Sequence, residues 1–528
     1  MMLHLRRRSA RDSRTLWIAL VLSAAAFAAA CGPPAAVAPP APSPELTAKA
    51  ARAEGEFKRG CYDGFKTAIG LYGSLYDDPG MRRRVAYPYV RALLLMIVRE
   101  RELGILNNAY YEKGISIIKD NPPLQQFLPL FETAHSMTIQ TKGVIRDFAG
   151  GFTPRGMDDI KKQAEFEADL KARTAVEDYN AYLYAAFYLG SGGYGVKRED
   201  LDALVKAYPD SILMRYKDAV FPPASAEKLR ALVEADPRFF EGYYHLGDLS
   251  LREGKLLEAE KNYLKAEEGL SVSPQVNILL ASIYFATEEF DRSLEYYDKT
   301  LALSPEYRDA ILGKALCLSY QQKFPHAIEV LNGLIKLGFY LIGEGNYWLA
   351  WNEHELKDNA AAQLHIEESK GRLPTNSEVY GLAGTIALEK GEAERAEREF
   401  LEALKYNAAN TEALFGLGKI SAAKLKWTDS AGYFEKAAAV VTQAEAAIAA
   451  KIEEIRAANM ASDRKARLLA KKEQQLKVNQ ATRATADFEA AISFFNAGNA
   501  AKAAAHAKRA SEHPQFKSAA DEILNKIK

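Results

Sequence analysis

Residues 243–305, YYHLGDLSLREGKLLEAEKNYLKAEEGLSVSPQVNILLASIYFATEEFDRSLEYYDKTLALSP, contain one pattern twice. Leu246, Gly247, Ala259 and Tyr263 return 34 residues later as Leu280, Ala281, Ser293 and Tyr297. Small residues recur on the same beat at Ala259, Ser293 and Ala327, and after one inserted residue at Ala362, Ala396 and Ser430. Twelve positions upstream of each lies a second small residue: Gly247, Ala281, Ala315, Ala350, Gly384 and Gly418. Four positions downstream lies a bulky one: Tyr263, Tyr297, Leu331, Ile366, Phe400 and Phe434. A 34-residue period with this spacing marks a repeat of two helices, A and B. The small residues let the two helices lie close, and the bulky one fills the groove beside them.

The array resembles the tetratricopeptide repeat family. Tyr243, Leu246, Gly247, Ala259, Tyr263 and Ala266 carry that family's pattern in the first repeat, and Leu280, Ala281, Tyr284, Ser293, Tyr297 and Pro305 in the second. The fifth has Tyr380, Gly384, Ala396, Phe400 and Ala403; the sixth has Leu414, Leu417, Gly418, Phe434 and Ala437. Gly254 and Gly391 stand at the A-to-B turn, which needs tolerance of positive φ. Lys314 and Glu353 occupy usually apolar positions in the third and fourth repeats. The resemblance implies an all-α superhelix of helical hairpins. Ser225, Leu229 and Leu232 extend the beat upstream to Pro237, and Gly60, Phe65, Ile69 and Pro79 mark another worn unit. Gly498, Ala503, Ala510 and Pro514 mark a seventh repeat. The segment 515–528, with Phe516, Ile523, Leu524 and Ile527 on one side, reads as the capping helix a solenoid needs.

The expected organisation is an address segment over 1–31, a Pro/Ala-rich tether over 32–44 and a degenerate helical region over 45–235. Six repeats follow over 236–441, then a helical insertion over 442–483 and the seventh repeat with its cap over 484–528. In the N-terminal region the apolar run Ala92–Val98, the stretch Leu124–Phe131 and the block Met157–Leu189 are expected to be helical. In the insertion Val441, Ile448, Ile452 and Ile455 share one helical face, and Leu468, Leu469 and Leu476 return along a second. The two would form an antiparallel projection. Its basic run, Arg464, Lys465, Arg467, Lys471 and Lys472, reads as a solvated face or as a patch for an anionic partner.

Arg6, Arg7, Arg8, Arg11 and Arg14 precede an apolar stretch, Leu16–Ala30, that ends in Ala28-Ala29-Ala30-Cys31. That order is a secretory address, short for a membrane span. A Cys after small residues resembles the bacterial lipobox, with Ala28 in place of the usual Leu. Lipidation of Cys31 is expected, against ordinary cleavage near Ala30 or an uncleaved anchor. Gly32 after the Cys, by the same resemblance, favours the outer membrane, facing the periplasm. The prolines of Gly32–Pro44 favour extended polyproline II.

The chain has 69 basic and 69 acidic residues, a balance that points away from nucleic acid. Beyond Cys31 only Cys61 and Cys317 remain, too few for a disulfide framework. The motif Gly190–Gly195 lacks the preceding strand of a dinucleotide fingerprint and reads as an inter-helix turn. The histidines lack metal-ligand spacing, and no G-x-S-x-G is present. Paired carboxylates such as Glu392/Glu394 and Asp158/Asp159 sit at helix starts, where the helix dipole favours them. No enzyme, cofactor or metal is expected.

By resemblance, helix A lines a concave groove. The positions carried over are Glu241, Tyr244 and Asp248; Ile278, Ser282 and Phe285; Leu312, Leu316 and Tyr320; and Tyr347, Trp351 and His354. The Lys/Asn set with which chaperone-binding relatives hold a carboxylate is missing. The expected partner site is Tyr244, Ile278, Phe285, Leu312, Leu316, Tyr320, Tyr347 and Trp351, suited to an amphipathic helix or an apolar peptide of another envelope protein. The alternative is that these side chains are covered by the chain's own N-terminal helices. The expected function is a noncatalytic, lipid-anchored envelope scaffold. The competing reading is a ligand-binding component of a transport system, with a pocket between the 45–235 helices and the array.

Overall fold

The computed structural model describes residues 41–105, 107–136, 157–188, 198–338 and 340–527. Cys31, most of the tether, Gly150-Gly151, Leu189 and the Gly190–Gly195 motif lie outside the described residues. Every described element is a helix.

The N-terminal region is built around Arg82–Glu102. Its stretch Ala92–Val98 is fully buried, because Tyr62–Tyr76, Ala109–Asp120, Leu128–Ser136 and Asp178–Tyr188 all pack on it. A helix apolar on all sides is the centre of a core. Pro44–Lys58 and Tyr62–Tyr76 form a hairpin whose turn holds Gly60 at φ 64°, with Phe65 buried. The helix thus starts on the last tether residue, capped by Ser43. Leu124 falls in a 3-10 turn, Pro122–Phe127, since two prolines cannot continue an α-helix. The block from Met157 is two helices, Met157–Arg173 and Asp178–Tyr188. Ser225 caps the helix Ala226–Ala235 and is not a buried small residue within it, as the beat would have placed it.

The repeats are regular hairpins: Phe240–Arg252 with Leu256–Leu270, Pro274–Ala286 with Phe290–Leu303, and Arg308–Tyr320 with Phe324–Lys336. Then come Ile342–Glu355 with Asn359–Arg372, Ser377–Glu389 with Ala393–Tyr406, and Thr411–Ala423 with Trp427–Ala457. The small and bulky residues of the 34-residue beat are buried. The close approach has measurable consequences: a Cβ on Gly247 would lie 2.6 Å from the ring of Tyr263, and one on Gly418 2.7 Å from Phe434. Where the small residue is a serine, its hydroxyl donates to the facing helix, Ser293 to the Ala281 carbonyl at 2.8 Å and Ser430 to Gly418 at 2.9 Å. That removes the cost of burying a polar group. The A-to-B turn takes positive φ in every repeat, at Gly254 and Gly391 but also at Glu288, Gln322, Lys357 and Leu425. The turn geometry, not the glycine, is what repeats, at a strain of about 1 kcal/mol per non-glycine.

The two departures from the pattern are absorbed by ion pairs. Lys314 reaches Asp298 at 2.7 Å, and Glu353 pairs with His365 at 2.7 Å. Helices A of repeats two to six approach their neighbours closely, with no comparable approach between helices B among the described residues. The array therefore curves with helices A inside.

Helix B of the sixth repeat runs 31 residues, to Ala457, and the next helix, Ser462–Asn496, returns over 35. At about 1.5 Å per residue each arm is roughly 50 Å long. Gly498 makes the next turn at φ 77°, Ala503 and Ala510 are buried against it, and Lys517–Ile527 closes the end through Ile523, Leu524 and Ile527. Among the described residues no helix is long and apolar enough to cross a membrane.

Candidate functional site

The helix-A face carries a chain of ring contacts. Phe285 meets Phe290 and Tyr320, each at 5.6 Å between centroids, and Phe290 stacks on Tyr320 at 5.5 Å. Tyr320 meets Trp348 at 5.8 Å and Trp351 at 6.5 Å; Trp351 meets Phe324 at 5.9 Å, and Trp348 meets Tyr347 at 5.4 Å. Tyr320 is 51% exposed, an unusual state for a ring at the centre of an aromatic cluster.

The structure therefore brings Phe285, Tyr320, Tyr347 and Trp351 into one strip. Leu312, Leu316 and Ile278 are half-buried outside the ring contacts, and half-buried Tyr244 turns toward His245 and Tyr263. Phe290, Phe324 and Trp348 join the strip without having been expected there. Phe290 and Phe324 are 34 residues apart at the first position of helix B, which is the signal that could have found them.

At the first repeat the groove is closed. Glu241 is fully buried and ion-paired with Arg99, which is equally buried. Glu241 also accepts the Tyr62 amide at 2.6 Å, and Arg99 lies 3.9 Å from the ring centre of Tyr216. Glu102 completes the group, 3.3 Å from Arg99 and 2.7 Å from Lys217. Glu241 is thus part of the core and not a groove residue, because the N-terminal region docks here. Asp248 and His354 are also nearly buried, Asp248 accepting the Tyr263 hydroxyl at 2.8 Å and His354 lying 3.2 Å from Glu389. Ser282 is exposed.

The basic run of the projection is neither fully solvated nor left open for an outside anion. Arg464 grips Glu260 at 2.8 Å and Glu289 at 2.5 Å. Lys472 pairs with Glu288 at 2.6 Å, and Lys471 bonds the Glu288 carbonyl and sits 5.6 Å from the Phe290 ring centre. Burial alone would raise the Glu289 carboxyl, but Arg464 and Arg292 hold it below its usual range. Lys465 turns to the Arg456 carbonyl at 2.9 Å, and Arg467 is exposed. The tip of the projection is thus bound to the first two repeats.

A cavity of about 270 Å³ lies among Tyr87, Phe127, Leu130, Glu177 and Tyr179. It is inside the N-terminal region and not between that region and the array. Cys61 and Cys317 are buried free thiols, pushed up by burial to about 12 and about 11.

Residues 214–272, 278–338 and 382–460 match the tetratricopeptide repeat family. Over these segments the chain is similar to tetratricopeptide repeats. The match starts within the worn unit before Pro237 and omits repeat four, whose hairpin the fold nevertheless contains. A TPR repeat-containing protein of Methanocaldococcus jannaschii is 22% identical over 312 residues, 54% of each chain. Protein O-mannosyl-transferase TMTC1 of Homo sapiens is 25% identical over 206 residues, 37% of this chain and 23% of its own. The chain spans about half the length of the first and less than a quarter of the second. Among solved structures, a tetratricopeptide repeat protein from Parabacteroides merdae is similar with a TM-score of 0.37 and 18% identity, over 52% of this chain and 98% of that one. Pseudomonas aeruginosa pilF is similar with a TM-score of 0.35 and 18% identity, over 37% of this chain and 89% of that one. Tetratricopeptide repeat proteins bind other proteins or peptides, and the array resembles them in being an α-solenoid of helical hairpins.

Proposed function

We propose that this chain is a noncatalytic scaffold of the bacterial cell envelope. A lipid on Cys31 holds it at the outer membrane, facing the periplasm, and its repeat array binds a segment of another envelope protein. The observation that carries the binding part is the aromatic strip of Phe285, Tyr320, Tyr347 and Trp351 on the inner face, in which Tyr320 is half exposed and the other three rings are partly buried. Aromatic side chains supply large, rigid contact area, and truncating such an anchor costs about 2 kcal/mol or more. The anchor rests on the order of basic, apolar and small residues before Cys31, and acyl chains contribute about 0.8 kcal/mol per buried CH₂.

Co-purification from solubilised envelope tests both parts. Wild type is expected to retain a protein partner that Tyr347→Ala with Trp351→Ala loses without a change in helicity. Cys31→Ser is expected to remove lipid labelling and leave the precursor uncleaved. A co-purifying small molecule that survives the aromatic substitutions would favour a solute-binding component, for which the cavity beside Tyr87 and Tyr179 is the candidate site.

A further inference from the structure

The inner face has a second periodic feature. Glu241, Gln275, Asp309, Glu344, Glu378 and Glu412 occupy one repeat position, 34 or 35 residues apart. All lie in the first turn of a helix A. A carboxylate there is ordinarily favoured by the helix dipole. Instead, burial pushes Asp309 up to about 6 with Glu344 adding repulsion, and burial together with Glu378 pushes up Glu412. The acids crowd one another along the groove.

The ladder runs beside the rings, with Glu412 and Glu378 both acting on Tyr347. Its first rung is filled by Arg99 on Glu241. Among the described residues no lysine or arginine forms an ion pair with Asp309, Glu344, Glu378 or Glu412. Their polar neighbours are Asn410, which donates to Glu378 at 3.4 Å, and Thr385, which donates to Glu412, with His354 also facing Glu412. The chain's own cations show what these surfaces accept. Arg99 joins a ladder carboxylate to an aromatic face, and at the near end of the strip Lys471 joins the Glu288 backbone carbonyl to the Phe290 ring while Lys472 takes the Glu288 carboxylate.

Resting on the groove reading above, we propose that the inner face of repeats three to six takes a cationic amphipathic helix of a partner protein. Its Lys or Arg side chains meet Asp309, Glu344, Glu378 and Glu412, and its apolar face lies on Tyr320, Tyr347 and Trp351. Packed helices lie about 8–10 Å apart. A partner helix rising about 1.5 Å per residue therefore meets successive acids with basic residues about five to seven positions apart, of which seven keeps them on one face.

The test uses the full chain and a fluorescein-labelled helical peptide about three heptads long. Lys stands at one position of each heptad beside a Leu/Trp face, and a twin carries Gln in place of Lys. By anisotropy at low salt, wild type is expected to bind the Lys peptide about tenfold more tightly than its twin, as several partly exposed ion pairs acting together would give. Added salt, or Glu344→Gln with Glu378→Gln and Glu412→Gln, is expected to erase that difference. Equal binding of the two peptides, still dependent on Tyr347 and Trp351, overturns the cationic partner and leaves the groove reading standing. A Lys preference that the triple variant retains also overturns it, because the charge is then read elsewhere. If neither peptide binds, or if binding survives Tyr347→Ala with Trp351→Ala, the cationic partner and the groove reading both fail. The peptide comparison needs no variant to fold.

Discussion

Arg464 and Glu260, 204 residues apart in sequence, are joined at 2.8 Å. Glu260 is only 4% exposed and also accepts the Tyr284 hydroxyl at 2.8 Å. Through this contact the long projection braces the sixth and seventh repeats against the first two. Arg464→Ala is expected to free the tip at a cost of about 1.5–3 kcal/mol, the range for hydrogen bonds to a charged group. Hydrogen exchange should then rise around 462–476 while the base of the projection, near Ala484 and Ala490, stays protected. Unchanged protection at the tip would show that the apolar contacts between the arms hold it unaided.

Gly384 and Phe400 test the close helix contact. A Cβ on Gly384 would lie 2.5 Å from the Phe400 ring, which is itself 1% exposed. Gly384→Ala is expected to cost about 1–3 kcal/mol by overpacking, and Phe400→Ala about 3–5 kcal/mol by opening a cavity. In the double variant the new methyl enters the vacated space, so the two costs combine to less than their sum. Strict additivity in chemical denaturation would contradict the contact.

Arg99 and Glu241 make a buried pair whose two members are unequal to either alone. Glu241→Gln or Arg99→Met leaves an uncompensated charge and is expected to cost about 3–5 kcal/mol, whereas Arg99→Met with Glu241→Gln costs less than either single change. Melting followed by tyrosine fluorescence reports it, since Tyr182 and Tyr216 line the pair. Single variants that melt like wild type would remove the pair's role in docking the N-terminal region.

His365 gives repeat four a pH dependence. Its hydrogen bond to Glu353 raises the imidazole above its ordinary value of 6.5, against the opposing effect of burial. A raised folded value means that the stabilisation is complete below about 6.5 and is lost as pH rises through the folded value. The melting difference between wild type and His365→Gln is therefore expected to be larger near pH 5.5 than near pH 8. A difference that grows with pH would mean the bond is made by neutral imidazole.

The repeat was legible from residues alone because its rule is local. Ala259, Ser293 and Ala396 are small since a facing helix one hairpin away leaves room for nothing larger, and that constraint recurs at a fixed spacing. The antiparallel projection was legible for the same reason, from Val441, Ile452 and Leu468 sharing apolar faces. The ring positions Tyr320, Tyr347 and Trp351 could be named, but Phe290 and Phe324 could not be joined to them without knowing how helix B starts beside the inner face. Nor could periodicity say that Glu241 is buried under Arg99, or that Arg464 and Lys472 are bound by Glu260, Glu289 and Glu288. Those pairings link residues more than a hundred positions apart, and charge has no sequence period that names its partner. Local packing fixed the hairpins; only the superhelical path of the whole array, which brings distant carboxylates to within 3 Å of distant cations, decided which charges were spent inside the molecule and which were left on its inner face.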